Sequence, residues 1–385
     1  MIHTNITLIL TLSLLIWGSP FVSKLLRIPT PPVEIILGSI VAYMGFIGHN
    51  QYFELIAEVG FLYLMFLAGM EVDLKQITRS PKIVIKKSIL FLAFMTMFSI
   101  IFGLIFSLNM IIIISMPLIS IGILASLSKS YGKDQAWIQL AFIAGVLGEV
   151  ISIAVLTVFD AASSTGLNIE LLEKIGFLLV FIVSVYLLYR LLHLLFWWLP
   201  ELKQTLVPKF DTSDQDIRLA MALFFIMIAV SLSLELELAL GAFIAGIAIS
   251  AFFHHEKKLE EKMSSLGFGF LVPLFFIHIG ASFDLNSLTE DGVVAGAILI
   301  TFLMILSRVL AAIVLKGISG SRDALLVALS LSMPLTLIVA VATIGYETKL
   351  ISILSYYQLI LASIFEILVS MIIIKMLYVK KIKED

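Results

Sequence analysis

The sequence predicts an all-α polytopic membrane protein of about thirteen transmembrane helices, built as two inverted six-helix repeats with crossed, broken helices. Three observations predict it. The chain of 385 residues is 61% hydrophobic and only 14% charged, with mean hydropathy +1.12, a balance that excludes an ordinary soluble domain. The tetrapeptide Ser-Met-Pro-Leu occurs twice, at residues 115–118 and 332–335, each time in the middle of a long apolar stretch. Pro117 and Pro334 lie 334 − 117 = 217 residues apart, and the same offset carries Glu149 onto Glu366, two acids inside further apolar stretches.

Apolar runs long enough to span a bilayer, about 20 residues each, fall at 6–26, 33–48, 54–71, 88–108, 110–128, 136–160, 172–192, 216–234, 238–253, 266–283, 292–315, 322–346 and 352–377. They are spans one to thirteen below. Residues 1–5 contain no Lys or Arg, so the basic start of a cleaved signal peptide is missing and span one is expected to stay as a helix. Of the 25 Lys and Arg, Arg308 lies inside a span and only Lys174 and Lys349 fall on one side under strict alternation. All the rest fall on the other side, which the positive-inside rule makes cytoplasmic. The expected orientation is therefore amino terminus outside and carboxyl terminus inside.

The 217-residue offset carries span five onto twelve and span six onto thirteen. Seven is odd, so the repeats are inverted. Residues 1–160 form the first repeat, 161–215 hold span seven and a polar connection with Pro208, and 216–385 form the second repeat. A second echo agrees: Gly69-Met-Glu-Val-Asp73-Leu74 and Gly280-Ala-Ser-Phe-Asp284-Leu285 share G-x-x-x-D-L. No soluble domain is expected, the chain contains no Cys to build a disulfide or a thiol metal site, and no cofactor or nucleic-acid partner is indicated.

Proline lacks an amide hydrogen and clashes with the preceding turn, so Pro117 and Pro334 are expected to interrupt spans five and twelve in mid-membrane. Unpaired backbone groups in hydrocarbon cost several kcal/mol and survive only where protein or a water-lined cavity satisfies them. Interrupted segments at matching places in two halves point to the substrate site of a secondary transporter. The alternative is that each proline merely kinks its helix.

An ionised side chain at the bilayer centre costs roughly 2.5 to 3.5 kcal/mol on insertion scales, so each needs a role. Glu149 follows Gly148 in the middle of span six, Arg308 lies in span eleven and Glu366 in span thirteen. A buried carboxylate that holds either a proton or a hard monovalent cation is the simplest device for proton-coupled antiport. Glu149 is the expected carrier, with carbonyls freed at the breaks and the hydroxyls of Ser115, Ser152, Ser332 and Thr336 as oxygen ligands. Arg308 is expected to act as a fixed countercharge. Two structural alternatives stand beside this: an ion pair of Glu149 with Arg308, and pairing of Glu366 with Arg308 or with a broken helix end. Glu34, after Pro29-Thr-Pro-Pro32, is expected at the interface, His278 as a packing residue that offers a pH sensor as its alternative, and Glu235 and Glu237 in a solvated outer turn.

With these residues in place, the chain resembles the monovalent cation:proton antiporter-2 family, the sodium/hydrogen exchanger domain of bacterial Na⁺/H⁺ antiporters and of Kef-type K⁺ efflux systems. The resemblance runs nearly end to end through Arg27-Ile-Pro-Thr-Pro-Pro-Val-Glu-Ile-Ile-Leu-Gly38, Phe66-Leu-Ala-Gly-Met-Glu-Val-Asp-Leu74, Leu240-Gly-Ala-Phe-Ile-Ala-Gly246 and Pro273-Leu-Phe-Phe-Ile-His-Ile-Gly-Ala-Ser-Phe-Asp-Leu285. It implies a thirteen-helix inverted-repeat transporter of the bacterial cell membrane, a homodimer whose mobile core moves against a dimerisation domain. Where electrogenic relatives carry two adjacent acids this chain has Gly148-Glu149, a usual Lys is Arg308, and a Pro-Arg-Gly-Glu-like run common near the second break is Pro334-Leu-Thr-Leu. With one acid at the site, exchange of Na⁺ or K⁺ for H⁺ is expected to be electroneutral. The chain ends at Asp385 without the nucleotide-binding domain of Kef systems, which argues against the alternative of a ligand-gated K⁺ efflux pathway. An intramembrane protease would need Glu149 and Glu366 paired at one depth, and a transport-inactive sensor is the remaining alternative.

Overall fold

The computed structural model describes residues 2–26, 28, 30–48, 50–71, 80–165, 214–234, 236, 238–253 and 257–384, with Gly176, Val180, Val183, Leu187, Arg190 and Trp198 between. Span seven apart from those positions, the connection after it, Asp73, Leu74, Glu235 and Glu237 lie outside the described residues. Among the described residues there is helix, turn and irregular chain but no strand. Among the described residues, eight helices are long and apolar enough to cross a bilayer, and three shorter apolar helices accompany them.

Helix α1 covers Ile2–Leu26 and α2 covers Thr30–Tyr43. Pro31 and Pro32 sit in the first turn of α2, where an amide hydrogen has no helical partner to lose. Span two was expected to reach residue 48, but α2 stops at Tyr43 because the chain turns at Gly45, whose φ of 81° belongs to the left-handed region. Helix α3 (Gln51–Met70) starts at Asn50, whose Oδ1 accepts from the amides of Tyr52 and Phe53 at 3.0 and 3.2 Å. Helix α4 (Lys82–Ile105) follows Pro81. Asn109 then caps the short α5 (Met110–Ser115) by accepting from the Ile111 amide at 2.9 Å. The chain leaves the helix over residues 116–121 and resumes as α6 (Gly122–Tyr131), followed by α7 (Ala136–Thr165).

In the second half, α8 (Gln215–Ser233) and α9 (Leu238–Phe253) precede α10 (Lys257–Leu266), a π-helical turn (Gly267–Leu271) and α11 (Val272–Ser282). Pro273 supplies no amide hydrogen to that ladder, and the Val272 amide bonds to the Gly267 carbonyl five residues back. Helix α12 (Val293–Ala311) leads through a 3-10 turn into α13 (Lys316–Ser330), which Gly320 kinks at φ 79°, ψ 165°. After a second break over residues 331–334 come α14 (Leu335–Glu347) and α15 (Ile353–Glu384). Spans five and twelve are thus both broken next to their Ser-Met-Pro-Leu segments, not merely kinked.

The chain divides into two compact units. The first holds residues 1–58, 77–156 and 273–385. Within it, α12 packs on α4 and α15, and the broken helices cross, α5 lying against α14 and α6 against α13. The second holds residues 59–76 and 157–272. There Tyr63, Phe66 and Phe224 form a buried aromatic cluster, and the Tyr63 hydroxyl donates to the Met263 carbonyl at 3.1 Å.

One close helix crossing in each unit carries the repeat. In the first unit a side chain on Gly38 would strike the Ile277 carbonyl, and one on Gly280 the Ile35 carbonyl. In the second unit Gly246 meets the Phe66 carbonyl and Gly69 the Phe243 carbonyl in the same way. Positions 35 and 38 shifted by 208 give 243 and 246, and positions 66 and 69 shifted by 211 give 277 and 280. Each crossing is the other with the repeats exchanged, and all four glycines are held by backbone contact that no Cβ permits.

Two side chains seen as secondary in the sequence have defined places in the first unit. Glu34, expected at the interface, is buried within the protein: it is 3% exposed and its Oε1 accepts from Ser19 Oγ at 3.0 Å. The helix starts at Thr30, one turn before it, so Glu34 is carried inward beneath α1. His278 packs edge to face on Phe53, with ring centroids 5.1 Å apart, beside an apolar cluster of Leu8, Ile47, Phe53, Leu274 and Ile277.

Candidate functional site

The first break is satisfied from two sides within the first unit. From α7, Glu149 and Ser152 lie three residues apart and so share a face. Ser152 Oγ accepts from the Ile119 amide at 2.9 Å, and Glu149 Oε2 accepts from the Ile121 amide at 2.6 Å. Ser120 Oγ stands 3.5 Å from Glu149 Oε1. From α12, Arg308 Nη2 donates to the Leu118 carbonyl at 2.7 Å and Nη1 to the Met304 carbonyl at 3.1 Å. The amide just before α6 therefore faces an acid, and a carbonyl of the break that follows α5 faces a cation, each of the sign that suits the nearer helix end. In a medium with no water to substitute, this is what lets the chain stay broken.

Glu149, Arg308 and Glu366 are all fully buried. Arg308 Nη1 also pairs with Glu366 Oε1 at 2.9 Å, which realises the structural alternative for Glu366 and leaves Glu149 with no basic partner among the described residues. The repeat alone would give Glu366 the role of Glu149. What differs is the neighbouring helix, because the counterpart of Arg308, at 308 − 217 = 91, is Phe91. A cation stands on one side only, and it pairs with the acid on that side.

Gly148, in place of a second acid, has a steric reason. A Cβ there would lie 2.7 Å from Ile119 Cδ1 and 3.0 Å from Ile119 Cβ, so the residue that gives its amide to Ser152 fills the space. Gly148→Ala is expected to destabilise the protein by about 1 to 3 kcal/mol through overpacking, read as an earlier thermal unfolding transition in detergent. An unchanged transition would show that Ile119 yields freely.

The remaining expected ligands divide. Ser115 Oγ donates to the Ile111 carbonyl at 2.7 Å and Ser332 Oγ to the Ala328 carbonyl at 3.0 Å, each pointing back along its own helix. Pro334, at φ −85° and ψ 44°, starts α14, and Thr336 is buried in its first turn. Sequence reasoning missed Leu118, Ser120 and the amides of Ile119 and Ile121. Backbone donors carry no residue signal, but Ser120, three residues after Pro117, was within reach of it.

The sodium/hydrogen exchanger transmembrane family matches residues 9–380. The chain belongs to that family. Among exchanger relatives it is 24% identical over 410 residues to YjbQ of Bacillus subtilis, covering 98% of this chain but 64% of YjbQ, so it spans less than two thirds of that relative. It is 23% identical over 374 residues to a Na⁺/H⁺ antiporter of Enterococcus hirae, covering 92% of this chain and 93% of that one. It is also 23% identical over 282 residues to the Na⁺/H⁺-K⁺ antiporter GerN of Bacillus cereus, covering 69% and 68%. Among solved structures, the sodium proton antiporter MjNhaP1 of Methanocaldococcus jannaschii superposes with a TM-score of 0.65 at 17% identity, over 96% of this chain and 94% of that one. That likeness shows the exchanger fold.

Proposed function

We propose that this exchanger-family chain trades one proton for one monovalent cation, Na⁺ or K⁺, with Glu149 as the carrier. The observation that carries this is the inequality of the two buried acids: Arg308 pairs with Glu366, whereas among the described residues Glu149 is hydrogen-bonded by the amide and hydroxyl of the first break and has no basic partner. A lone charge in such a place is costly, so a proton or a cation neutralises the carboxyl, and one excludes the other. Arg308 cannot give up its proton and serves as a fixed countercharge. The names of the Enterococcus hirae antiporter and of GerN support proton-coupled exchange, and GerN admits K⁺ beside Na⁺. In this reading the protein works as a homodimer, with its amino terminus outside and its carboxyl terminus in the cytoplasm. Residues 1–160 and 216–385 act as the two repeats.

One carrier per cycle makes transport electroneutral. The test is to impose a membrane potential on proteoliposomes with no initial cation or proton gradient and to follow internal pH with Na⁺, K⁺ or Li⁺ present. No potential-driven pH change is expected, although an imposed cation gradient moves protons. A change that needs both the cation and Glu149 would rule out one-for-one exchange, and its loss in Glu366→Gln would locate the second proton.

A further inference from the structure

The two breaks are not equally satisfied. At the first, the amides of Ile119 and Ile121 and the carbonyl of Leu118 all have side-chain partners. At the second, the repeat places Val369 where Ser152 would be, and Glu366 is held by Arg308. No side chain caps α14, and the carbonyls of Leu331, Ser332 and Met333 accept no hydrogen bond among the described residues. The hydroxyls of Ser115, Ser120, Ser152, Ser330 and Ser332 all have partners. Thr336 Oγ1 has none, although its residue is only 6% exposed.

The break itself explains why that hydroxyl is left over. A helical Thr returns its hydrogen bond to the carbonyl four residues back, as Thr301 does to Ala297 and Thr348 to Ile344, at 2.7 and 2.6 Å. Thr336 is the second residue of α14, so four residues back is Ser332, where the chain is not helical. A buried polar atom without a partner costs about 1 to 3 kcal/mol and calls for an occupant. The second break also lies close to the carrier. A Cβ on Gly145, one turn before Glu149 on α7, would stand 2.6 Å from Ile121 Cγ2 and 3.0 Å from Leu331 Cδ2, so both breaks meet that face of the helix.

We propose that Thr336 Oγ1 is a ligand of the transported cation and decides which monovalent cation is taken. The proposal rests on Glu149 being the carrier. The carboxylate supplies charge, to which Li⁺, Na⁺ and K⁺ respond alike in sign. A hydroxyl on a stiff β-branched side chain at the start of a helix has a fixed position, and an oxygen that cannot follow the ion favours the radius that fits it.

The experiment compares wild type, Thr336→Val and Thr336→Ser by two readouts. Cation-dependent thermal stabilisation in detergent reports binding by mass action, and pH-gradient dequenching in proteoliposomes reports the apparent KM of transport, each with Na⁺, Li⁺ and K⁺ in turn. Thr336→Val keeps shape and loses the oxygen, and is expected to change the ratio of apparent affinities between two of these cations by about tenfold. Thr336→Ser keeps the oxygen and is expected to stay within about threefold of the wild-type ratio. Equal weakening for all three cations, or an unchanged ratio in Thr336→Val, would reduce Thr336 to a packing residue and overturn the proposal. If Thr336→Val fails to fold, a wild-type ratio shifted as far by Thr336→Ser as by Thr336→Ala overturns it too, because the oxygen would then be irrelevant. Wild-type protein that neither binds nor exchanges any cation would overturn the Glu149 reading first, and the role of Thr336 with it.

Discussion

Glu149→Gln is expected to abolish cation-induced proton movement in proteoliposomes while leaving the protein folded. Gln keeps the length of the side chain, and its carbonyl oxygen accepts from the Ile121 amide as Glu149 Oε2 does at 2.6 Å. The first break thus stays capped, and the amide nitrogen that replaces Oε1 faces Ser120 Oγ, which stands 3.5 Å away in the wild type and turns from donor to acceptor. What is lost is the ability to trade a proton for a positive ion. The expected fall in rate is at least about a hundredfold, the scale on which loss of an essential proton-transfer group acts. The checks are dequenching with each cation and a thermal melt. A melt near that of wild type together with retained antiport would remove Glu149 from the carrier role. Glu149→Asp retains the charge with shorter reach, and residual exchange with a raised apparent KM is its expected result.

Arg308→Ala is the largest expected loss of stability. It leaves Glu366 buried without its partner, and breaking a buried ion pair from one side costs about 3 to 5 kcal/mol. It also frees the Leu118 carbonyl, whose bond to Nη2 is 2.7 Å. Since the guanidinium serves two carbonyls and a carboxylate at once, Lys is not expected to substitute, having a compact ammonium in place of a planar fork. Arg308→Met combined with Glu366→Leu separates the two roles. Thermal stability recovers in the double variant, because replacing both partners of a buried pair by apolar groups is often neutral. Transport does not recover, because the first break still lacks its donor. Recovery of transport as well would mean that Arg308 only neutralises Glu366.

The first inverted repeat was legible because inversion leaves arithmetic behind. Two tetrapeptides and two acids at one offset needed no coordinates, and both breaks are where the prolines are. The pairing of charges was not legible. Three buried ionisable residues allow Glu149 or Glu366 as the partner of Arg308, and sequence separation does not choose, since the contact is set by how α12 packs against α15. The burial of Glu34 was not legible for a related reason: nearby prolines signal a helix start, but not which helix lies over it. Thr336 was named among several hydroxyls of equal standing, and only the hydrogen bonds that occupy the others set it apart.

By itself the sequence determined that this chain lives in a bilayer, because 61% hydrophobic residues in long runs have no aqueous solution. It determined the doubling, and it determined where the helices break, since a proline in mid-span denies its helix a hydrogen bond wherever the rest of the chain goes. Only the tertiary structure decided which side chains satisfy the first of those breaks. Composition and local geometry act along the chain, whereas the partners of Leu118, Ile119 and Ile121 come from α7 and α12, and side chains brought together by packing have no fixed spacing to be read. The assignment of Arg308 to Glu366, and with it the isolation of Glu149, is a fact of that packing.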